Sequence, residues 1–465
     1  MLNHFNFKTL DDGKTLITND FGQYVLLDKQ EFMALLHGTI SKESELYRVL
    51  RKSHFFLERE DLLSEEIYSQ MRDAKNYLFS PTSLHIFVVT NTCNANCVYC
   101  QARTKERPTH GIMTKEIGEK AARIALQSPS KHITFEFQGG EPLINFETIK
   151  HIVEYSEENK EDKIVEYTIV SNLSLLSDEI IEFFQRYNFK VSTSVDGPKQ
   201  LHDENRPLLS KQSSFERAIE GIQKIDKAGI PIGAIETTTR SSLQFPEEIV
   251  QTYVELGLDS VFLRMLTPLG FAQEEWSKIG YTAEEYVNFY RIALDKVIEL
   301  CKNERNICEN TAAIFLRKIL NGYAANYMEL RSPCGASLGQ LAYYYDGSIY
   351  TCDEGRMISE TGDQAFKLGD VFTSNYSDLL NTKTCKAVCS ASIIESLPGC
   401  SDCVYMPYCG VCPVINFAIE GDPILQYAHG YRCKIYSGVL DCIFDKLLYG
   451  DDETKDILYS WVKEC

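Results

Sequence analysis

Three cysteines follow a short β-branched run with the spacing C-x3-C-x2-C: Cys93, Cys97 and Cys100. The run 84–90 predicts a strand, so the three thiols are expected together on the loop that leaves it. Three thiolates on one loop can hold three irons of a four-iron cluster and leave the fourth iron open. The alternative is a zinc knuckle, which needs four nearby ligands, but the next Cys or His after Cys100 is His110. The spacing therefore predicts an iron–sulfur cluster.

The bulk composition limits the class of protein. A chain of 465 residues with 44% hydrophobic and 24% charged residues predicts two or three globular domains. No apolar run approaches the roughly 20 residues that cross a bilayer, and residues 1–8 do not resemble a signal peptide. Sixteen cysteines then favour metal or cluster ligation in a reducing cytoplasm over a disulfide framework. The net charge of −19 disfavours nucleic acid and anionic membrane as partners.

Residues 1–80 are predicted to form a small module of their own. Two short strands and two amphipathic helices follow one another, at 15–18, 24–27, 28–37 and 45–56. This order resembles the winged-helix precursor-recognition domain that many peptide-modifying enzymes carry at the N-terminus. The alternative is a structural extension that packs on the rest of the chain.

From 81 to 300, apolar strand-like runs alternate with helical stretches, which predicts an α/β fold with a parallel sheet. The six predicted strands are 84–90, 132–138, 165–170, 190–195, 231–237 and 259–264, and the clearest helices are 115–127 and 145–155. With the cysteine spacing, this pattern resembles the radical S-adenosylmethionine (SAM) superfamily and its partial (β/α)6 TIM-like barrel. The resemblance implies that SAM binds the open iron and is cleaved to a 5′-deoxyadenosyl radical.

Three further strand ends resemble the SAM pocket of that superfamily. Residues 138–142 resemble the GGEP motif, and 171–172 stand where relatives often have Thr-Asn-Gly, here with Leu173 as a departure. Residues 194–206 resemble the S-x-D-G-P…H-D…R pattern of the SPASM subgroup, in which Ser194 and Arg206 would hold the methionine carboxylate and Asp196 would lie on the ribose side. The SAM-binding residues implied by the resemblance are Tyr99, Gly139, Gly140, Glu141, Ser171, Asn172, Ser194, Asp196 and Arg206.

A second set of cysteines resembles the seven-cysteine SPASM motif, with two residues instead of three between its fifth and sixth members. The set is Cys334, Cys352, Cys400, Cys403, Cys409, Cys412 and Cys433. The resemblance implies two auxiliary [4Fe-4S] clusters, and so three in all: one ligated by Cys400, Cys403, Cys409 and Cys433, the other by Cys334, Cys352 and Cys412. A zinc-ribbon-like fold is the alternative, although seven cysteines divide poorly into sites of four.

The fourth ligand of the auxiliary cluster on Cys334, Cys352 and Cys412 stays open. Relatives often take it from a cysteine at the position of Met328, so here Cys385 or Cys389 substitutes, or the iron is open to substrate. The remaining cysteines, with no partner spacing, are expected to be ordinary thiols: Cys301, Cys308, Cys442 and Cys465. Asp353 directly follows Cys352, and similar sulfatase-maturating enzymes use that aspartate as the proton acceptor, which makes Asp353 the candidate catalytic residue.

Five sequence segments are similar to the B-type radical SAM maturase of the His-Xaa-Ser peptide system: 83–90, 135–142, 262–264, 353–357 and 408–414. The resemblance implies hydrogen abstraction from a ribosomally made precursor peptide, with side-chain oxidation or cross-linking as the result. It also implies a partner maturase and an electron donor such as flavodoxin or ferredoxin. One alternative is formylglycine formation as in anaerobic sulfatase maturases, although these usually lack an N-terminal segment like residues 1–80. The other is a non-catalytic metal-binding peptide scaffold.

The predicted organisation has five parts. They are a precursor-recognition module (1–80), the radical SAM core (81–300), a bridging helical region (301–332), a SPASM auxiliary-cluster domain (333–440) and a C-terminal tail helix (441–465).

Overall fold

The computed structural model describes residues 1–58, 61, 64–103, 111–322, 327–424 and 430–464. The chain begins with a three-stranded antiparallel sheet in the order β1-β2-β3 and two helices that pack on it. These elements are β1 (Asn6–Thr9), β2 (Thr15–Thr18), β3 (Tyr24–Leu27), α1 (Lys29–Leu36) and α2 (Glu45–Lys52). The two predicted strands are confirmed, and β1 is an addition to them.

The capping box at the start of α1 is also confirmed, with Asp28 and Glu31 each accepting a backbone hydrogen bond from the other residue. Helix α2 ends at Lys52, earlier than the predicted end at 56. The reason is that Phe56 pairs with Leu2 in an antiparallel bridge, which requires extended backbone where the helix was expected to continue. Helix α3 (Glu65–Ala74) then leads toward the central sheet.

The central sheet contains six parallel strands in the order β10-β8-β7-β6-β5-β4. They are β4 (Leu84–Thr90), β5 (His132–Gly139), β6 (Ile164–Val170), β7 (Lys190–Ser194), β8 (Ile232–Thr237) and β10 (Leu263–Arg264). The prediction of six parallel strands is confirmed, with one correction to the last. The run 259–264 is split, because β9 (Ser260–Val261) pairs with β11 (Cys308–Glu309) and only β10 joins β8.

Helices alternate with these strands and cover the sheet. They are α4 (Lys115–Leu126), α5 (Phe146–Asn159), α6 (Asp178–Arg186), α7 (Lys199–Asn205), α8 (Ser214–Lys227) and α9 (Pro246–Glu255). Helices α4, α6 and α8 each begin after a Ser or Thr whose side chain accepts a backbone N–H of the first turn. Between the helices and the sheet lies an aromatic core that includes Phe87, Phe135, Phe137, Tyr167 and Phe189.

The central sheet continues past β4 into the C-terminal third of the chain. Strand β12 (Gln340–Tyr343) pairs in parallel with β4, and β13 (Ser348–Tyr350) and β14 (Lys367–Asp370) extend the sheet in antiparallel fashion. The result is a nine-stranded sheet that crosses the predicted boundary at 333. The C-terminal region is therefore built onto the first strand of the barrel.

The rest of the chain is helical and packs around the barrel and the cysteine-rich region. These helices are α10 (Gly270–Glu274), α11 (Trp276–Ile279), α12 (Ala283–Lys302), α13 (Asn310–Asn321), α14 (Asp353–Ser359), α15 (Tyr376–Leu380), α16 (Lys383–Ser390), α17 (Pro413–Glu420), α18 (Tyr431–Tyr449) and α19 (Asp452–Glu464). The predicted tail helix from 441 is thus two helices, of which α18 already starts at Tyr431. Within the described ranges, no helix is long and apolar enough to cross a membrane.

A buried histidine joins the barrel to the C-terminal strands. His85 of β4 is fully buried, and its Nδ1 lies 3.0 Å from the hydroxyl of Tyr343 on β12. Burial lowers the pKa of His85 from 6.5 to about 3, so the folded protein keeps the ring neutral. The unfolded chain takes up the proton below pH 6.5, and this difference removes stability as the pH falls.

We expect stability to fall from pH 7.5 to 5.5 more steeply in the wild type than in a His85→Phe/Tyr343→Phe double variant. For each unit by which the pH falls between 6.5 and about 3, protonation of His85 in the unfolded chain lowers the free energy of unfolding of the wild type by about 1.4 kcal/mol. The double variant removes both hydrogen-bonding partners, which limits the pH-independent cost. Thermal unfolding of both proteins at the two pH values measures the difference, and equal pH slopes would contradict the assignment.

Candidate active site

The three-cysteine loop leaves β4 at the C-terminal edge of the parallel strands, as predicted. Backbone hydrogen bonds hold it against the segment that follows α7: Asn96 N donates to Pro207 O at 2.8 Å, and Val98 N to Asn205 O at 2.9 Å. The loop is therefore fixed on the barrel by its own backbone.

The thiols of this loop lie close enough to affect one another. Burial raises the pKa of Cys93 to about 12 and that of Cys97 to about 11, and it also raises that of Cys100. The negative charges of Cys97 and Cys100 add to the effect at Cys93. Without a metal, the site therefore holds neutral thiols, and a positively charged metal centre is what would make them thiolates.

Gly139 and Gly140 bring the end of β5 directly against the cysteine loop. Gly140 N donates to Thr90 O at 2.9 Å, and an added Cβ at Gly139 or Gly140 would overlap the carbonyl of Thr90 or Thr92, respectively. Only glycine allows this approach, since the obstacles are backbone atoms. The glycine pair therefore supports the cysteine loop and leaves a backbone surface facing the cavity.

Glu141, Ser171 and Asn172 lie behind this surface and tie two strand ends together. Ser171 Oγ donates to Glu141 Oε1 at 2.7 Å, and Asn172 N to Glu141 Oε2 at 2.8 Å. Glu141 is 1% exposed, and burial raises its pKa to about 7. None of these three side chains lines the cavity in the described structure. Their geometry is that of a brace between the second and third parallel strands.

Asp196 makes a similar brace at the fourth strand. It is fully buried, and its Oδ2 accepts from Tyr99 Oη at 2.6 Å and from Arg206 Nε at 3.1 Å. Its Oδ1 accepts from Thr237 N at 3.3 Å. Asp196 therefore orients Arg206, whose guanidinium lies over the Tyr99 ring at 5.1 Å and lines the cavity. A fixed guanidinium in such a wall suits a carboxylate ligand.

These strand ends surround a cavity of about 1210 Å³. Of the predicted site residues, the cavity is lined by Cys93, Cys97, Tyr99, Cys100, Gly139, Gly140, Ser194, Arg206 and Asp353. Single ligand pockets usually measure about 300–1,000 Å³, so this space exceeds what one small molecule requires. It has room for a cofactor and for part of a second ligand.

Another wall of the cavity comes from helix α14 and from two barrel strands. Asp353 and Glu354 line it beside Glu136 of β5 and Arg264 of β10. Burial, followed by the charge of Glu329, raises the pKa of Glu354 to about 7. Sequence reasoning missed Glu136 and Arg264. The period-two pattern of β5 places Glu136 on the same face as Gln138, and that signal could have identified Glu136.

Arg356, also on α14, is 1% exposed, and only part of its guanidinium group is hydrogen-bonded within the described residues. Its Nη2 donates to Asp353 Oδ1, whereas its Nε and Nη1 have no hydrogen-bond partner within the part of the chain that the structure describes. The positive charge of Arg356 is also among those that lower the pKa of Cys100 against the effect of burial. Buried guanidinium donors without partners are costly, so this region suits a negatively charged group.

The seven C-terminal cysteines lie in two groups. Cys334, Cys352 and Cys412 pack in one buried cluster, and burial together with the charges of the other two raises the pKa of Cys352. The other group contains Cys400, Cys403, Cys409 and Cys433. There, burial and the charges of Cys403 and Cys433 raise the pKa of Cys409 to about 12. The two groups have the same members as the two sets that the resemblance implies.

The residues that bear on the open fourth ligand, Met328 and the two candidate cysteines, lie in the neighbourhood of Cys334. Met328 packs against Gly335 and lines the cavity. Cys385 and Cys389 stand one turn apart on α16, and a hydrogen bond from the Cys389 thiol lowers the pKa of Cys385 to about 7. The charge of Cys334 acts on Cys389, which places the two thiols near each other.

Three of the cysteines expected to be ordinary thiols are described by the structure. Cys301 and Cys442 are free, whereas Cys308 is disulfide-bonded, so the expectation for Cys308 is wrong. Cys465 and His110 lie outside the described residues. Among the residues that are described, no three His, Cys, Asp or Glu side chains converge on a single-ion site.

Residues 87–241 match the Radical SAM superfamily. An uncharacterized protein of Methanocaldococcus jannaschii is 31% identical over 186 residues, which are 39% of this chain and 62% of that protein. This chain therefore spans less than two thirds of that relative. The serine-type anaerobic sulfatase-maturating enzyme of Bacteroides thetaiotaomicron is 24% identical over 394 residues, which are 77% of this chain and 89% of the enzyme.

Two solved structures share the fold. Native anSMEcpe with bound AdoMet has a TM-score of 0.68 at 21% identity and covers 79% of this chain and 98% of its own. Streptococcus suis SuiB bound to precursor peptide SuiA has a TM-score of 0.54 at 14% identity and covers 92% of this chain and 99% of its own.

The glycine pair offers a test of the geometry. We expect Gly140→Ala to displace the cysteine loop and lower iron bound after anaerobic reconstitution by about four per chain, since its Cβ would overlap the Thr92 backbone. Gly233→Ala on β8 is the matched control, because no atom lies within 4 Å of its added Cβ. Iron analysis of both variants measures the effect, and full iron loading of Gly140→Ala would contradict it.

The superfamily match begins within β4, directly before the cysteine loop, and ends after β8. It thus contains the three cysteines, the glycine pair and the Asp196–Arg206 brace on five of the six parallel barrel strands. Residues 87–241, which contain these features, are therefore the part of this chain that is similar to the Radical SAM superfamily.

Proposed function

We propose that this chain is a radical SAM enzyme that modifies a ribosomally synthesised peptide, giving side-chain oxidation or a cross-link. The observation that carries the proposal is the single cavity that the cysteine loop, Arg206 and the α14 wall all line. A SAM site at the loop and a peptide side chain at α14 would then face each other across that cavity.

The residues present fit the implied groups. Cys93, Cys97 and Cys100 would hold the SAM-binding cluster, and the two C-terminal sets would hold auxiliary clusters. When bound, these groups supply a radical able to abstract hydrogen from carbon and acceptors for the electron that is left. The Gly139–Gly140 backbone would bind the methionine amino group, and Arg206 the carboxylate.

The residues of the chain would orient the ligands and move a proton. Asp196 fixes Arg206 through Nε and Tyr99 through its hydroxyl, so both enter the site already oriented. Asp353 faces the same cavity and is held by Arg356. A carboxylate in that position is suited to accept the proton lost as the peptide is oxidised.

A peptide substrate is supported by the N-terminal module and by the relatives. The SuiB structure was solved with its precursor peptide, and it covers more of this chain than the anSMEcpe structure does. The curated relatives also include the radical SAM cyclopropyl synthase TigE, which is 24% identical over 393 residues. The resemblance to the His-Xaa-Ser maturase remains part of this proposal.

Formylglycine formation is the second candidate. It is favoured by the match to a sulfatase-maturating enzyme over 89% of that enzyme's length. A sulfatase-derived peptide and small peptides encoded beside this chain would separate the two, with product detected by mass spectrometry. Conversion of the sulfatase peptide alone would replace the first proposal by the second.

We expect the reconstituted protein to bind about twelve irons and to form 5′-deoxyadenosine from SAM and dithionite. The triple variant Cys93→Ala/Cys97→Ala/Cys100→Ala should lose about four irons and all SAM cleavage, because the ligands of one cluster are gone. Cys301→Ala is the control, since that thiol lies outside the three sets. Stoichiometric zinc without deoxyadenosine would overturn the enzyme proposal in favour of a metal-binding scaffold.

We expect Asp353→Asn to cleave SAM as before but to lower the rate of peptide product formation by about 100-fold or more, the usual range for a lost proton acceptor. Asp363→Asn is the matched control, because Asp363 is exposed and caps a turn outside the cavity. Both products are measured in one assay, and an unchanged rate in Asp353→Asn would remove Asp353 from the mechanism.

A further inference from the structure

The N-terminal module packs against the loop that carries Cys400 and Cys403. Asn6 Nδ2 donates to Ser401 O at 3.0 Å and to Cys403 O at 3.1 Å, and Thr18 Oγ1 donates to Val404 O at 2.6 Å. Both donors are buried, at 6% and 0% exposed. Three backbone carbonyls of the segment 401–404 therefore find their donors in the first 18 residues of the chain.

Further contacts hold the same interface from either side. Tyr408, the residue before Cys409, donates through its hydroxyl to Gly22 O at 2.9 Å. Lys8 Nζ lies 2.5 Å from Asp441 Oδ1, and Tyr24 packs edge-on against Phe444 with ring centroids 5.2 Å apart. Asp441 and Phe444 belong to α18, the helix that also carries Cys433. The module thus contacts the loop and the helix that supply all four cysteines of this set.

Within the described residues, Ser401 O accepts from Asn6 and Val404 O from Thr18, whereas Cys403 O accepts from both Asn6 and Met406. Within the turn, Cys403 N donates to Cys400 O at 3.0 Å and Met406 N to Cys403 O at 2.9 Å. These two bonds close the turn, whereas the hydrogen bonds from Asn6 and Thr18 attach it to the N-terminal module. A buried carbonyl that loses its donor is destabilised, so removing either side chain should loosen the turn.

We propose that Asn6 and Thr18 are positioning residues for the auxiliary-cluster ligands Cys400 and Cys403, so that the N-terminal module is an integral part of that cluster's site. This inference rests on the proposed function, because it requires the cluster on Cys400, Cys403, Cys409 and Cys433. It gives the module a role that is independent of peptide recognition. Deleting the module would then remove a cluster as well as a peptide-binding surface.

The test is an Asn6→Ala/Thr18→Val double variant of the full chain, reconstituted and exposed to an iron chelator. We expect about four of about twelve irons to leave roughly tenfold faster than in the wild type, since three hydrogen bonds to the loop are lost. Formation of 5′-deoxyadenosine without peptide should persist, because the SAM-binding loop lies elsewhere. Cys400→Ala/Cys403→Ala provides the reference for complete loss of the same cluster.

Asn3→Ala is the matched control. Asn3 Nδ2 donates to His54 O at 3.1 Å, which is an amide-to-carbonyl bond inside the module. Wild-type chelator resistance in the double variant would overturn the positioning role, as would equal iron loss in Asn3→Ala, which would indicate general loosening of the module. A wild type that binds far fewer than twelve irons would instead count against the proposed function itself.

Discussion

Strand β4 has hydrogen-bonded neighbours on both sides, and this pairing determines how the rest of the site is arranged. On one side β5 pairs with β4 up to Gln138 and Val88, and after a register shift Gly139 pairs with Thr90, which brings the glycine pair against the cysteine loop. On the other side β12 pairs with the same strand, and its hairpin partner β13 leads directly into Cys352 and α14. One strand therefore sets the distance between the two walls of the cavity.

Burial of the cysteines has a common chemical consequence. In each of the three sets burial is the main cause that raises the pKa of the thiols, and neighbouring thiols, together with Glu354 beside Cys352, raise it further. Iron would therefore have to displace protons for a cluster to assemble there, and the free energy of cluster binding would become part of the stability of the folded chain. The buried arginines beside these sets, Arg206, Arg356 and Arg432, supply part of the positive charge that offsets the thiolates.

The sequence predicted those parts of the fold that depend on local pattern. Strands β4 to β8 are rich in β-branched and aromatic residues, and their bounds agree with the prediction to within one residue. Strand β12 was not foreseen, because its pairing with β4 joins residues some 250 positions apart and leaves no local signal. The cysteine spacing indicated the first set and the resemblance implied the two C-terminal sets, and the members of each set lie near one another in the structure.

The roles of individual carboxylates could not be obtained from motifs. Glu141 and Asp196 belong to patterns associated with SAM, yet in the structure their oxygens accept hydrogen bonds from neighbouring strand ends. No role was assigned to Glu136 from the sequence, although it lies in the segment 135–142, and it lines the cavity. Which of these groups faces a ligand depends on side-chain packing across several strands, and motif spacing contains no information on that.

The parallel pairing of β4 with β12 also orders events during synthesis. Until Tyr343 has left the ribosome, β4 is an uncovered sheet edge, and such edges pair readily with other chains. Asn6 and Thr18 wait longer still, because their partners at Ser401, Cys403 and Val404 are translated several hundred residues after them. Both contacts therefore form late in synthesis, and until then the uncovered edge of β4 has to be kept from pairing with other chains.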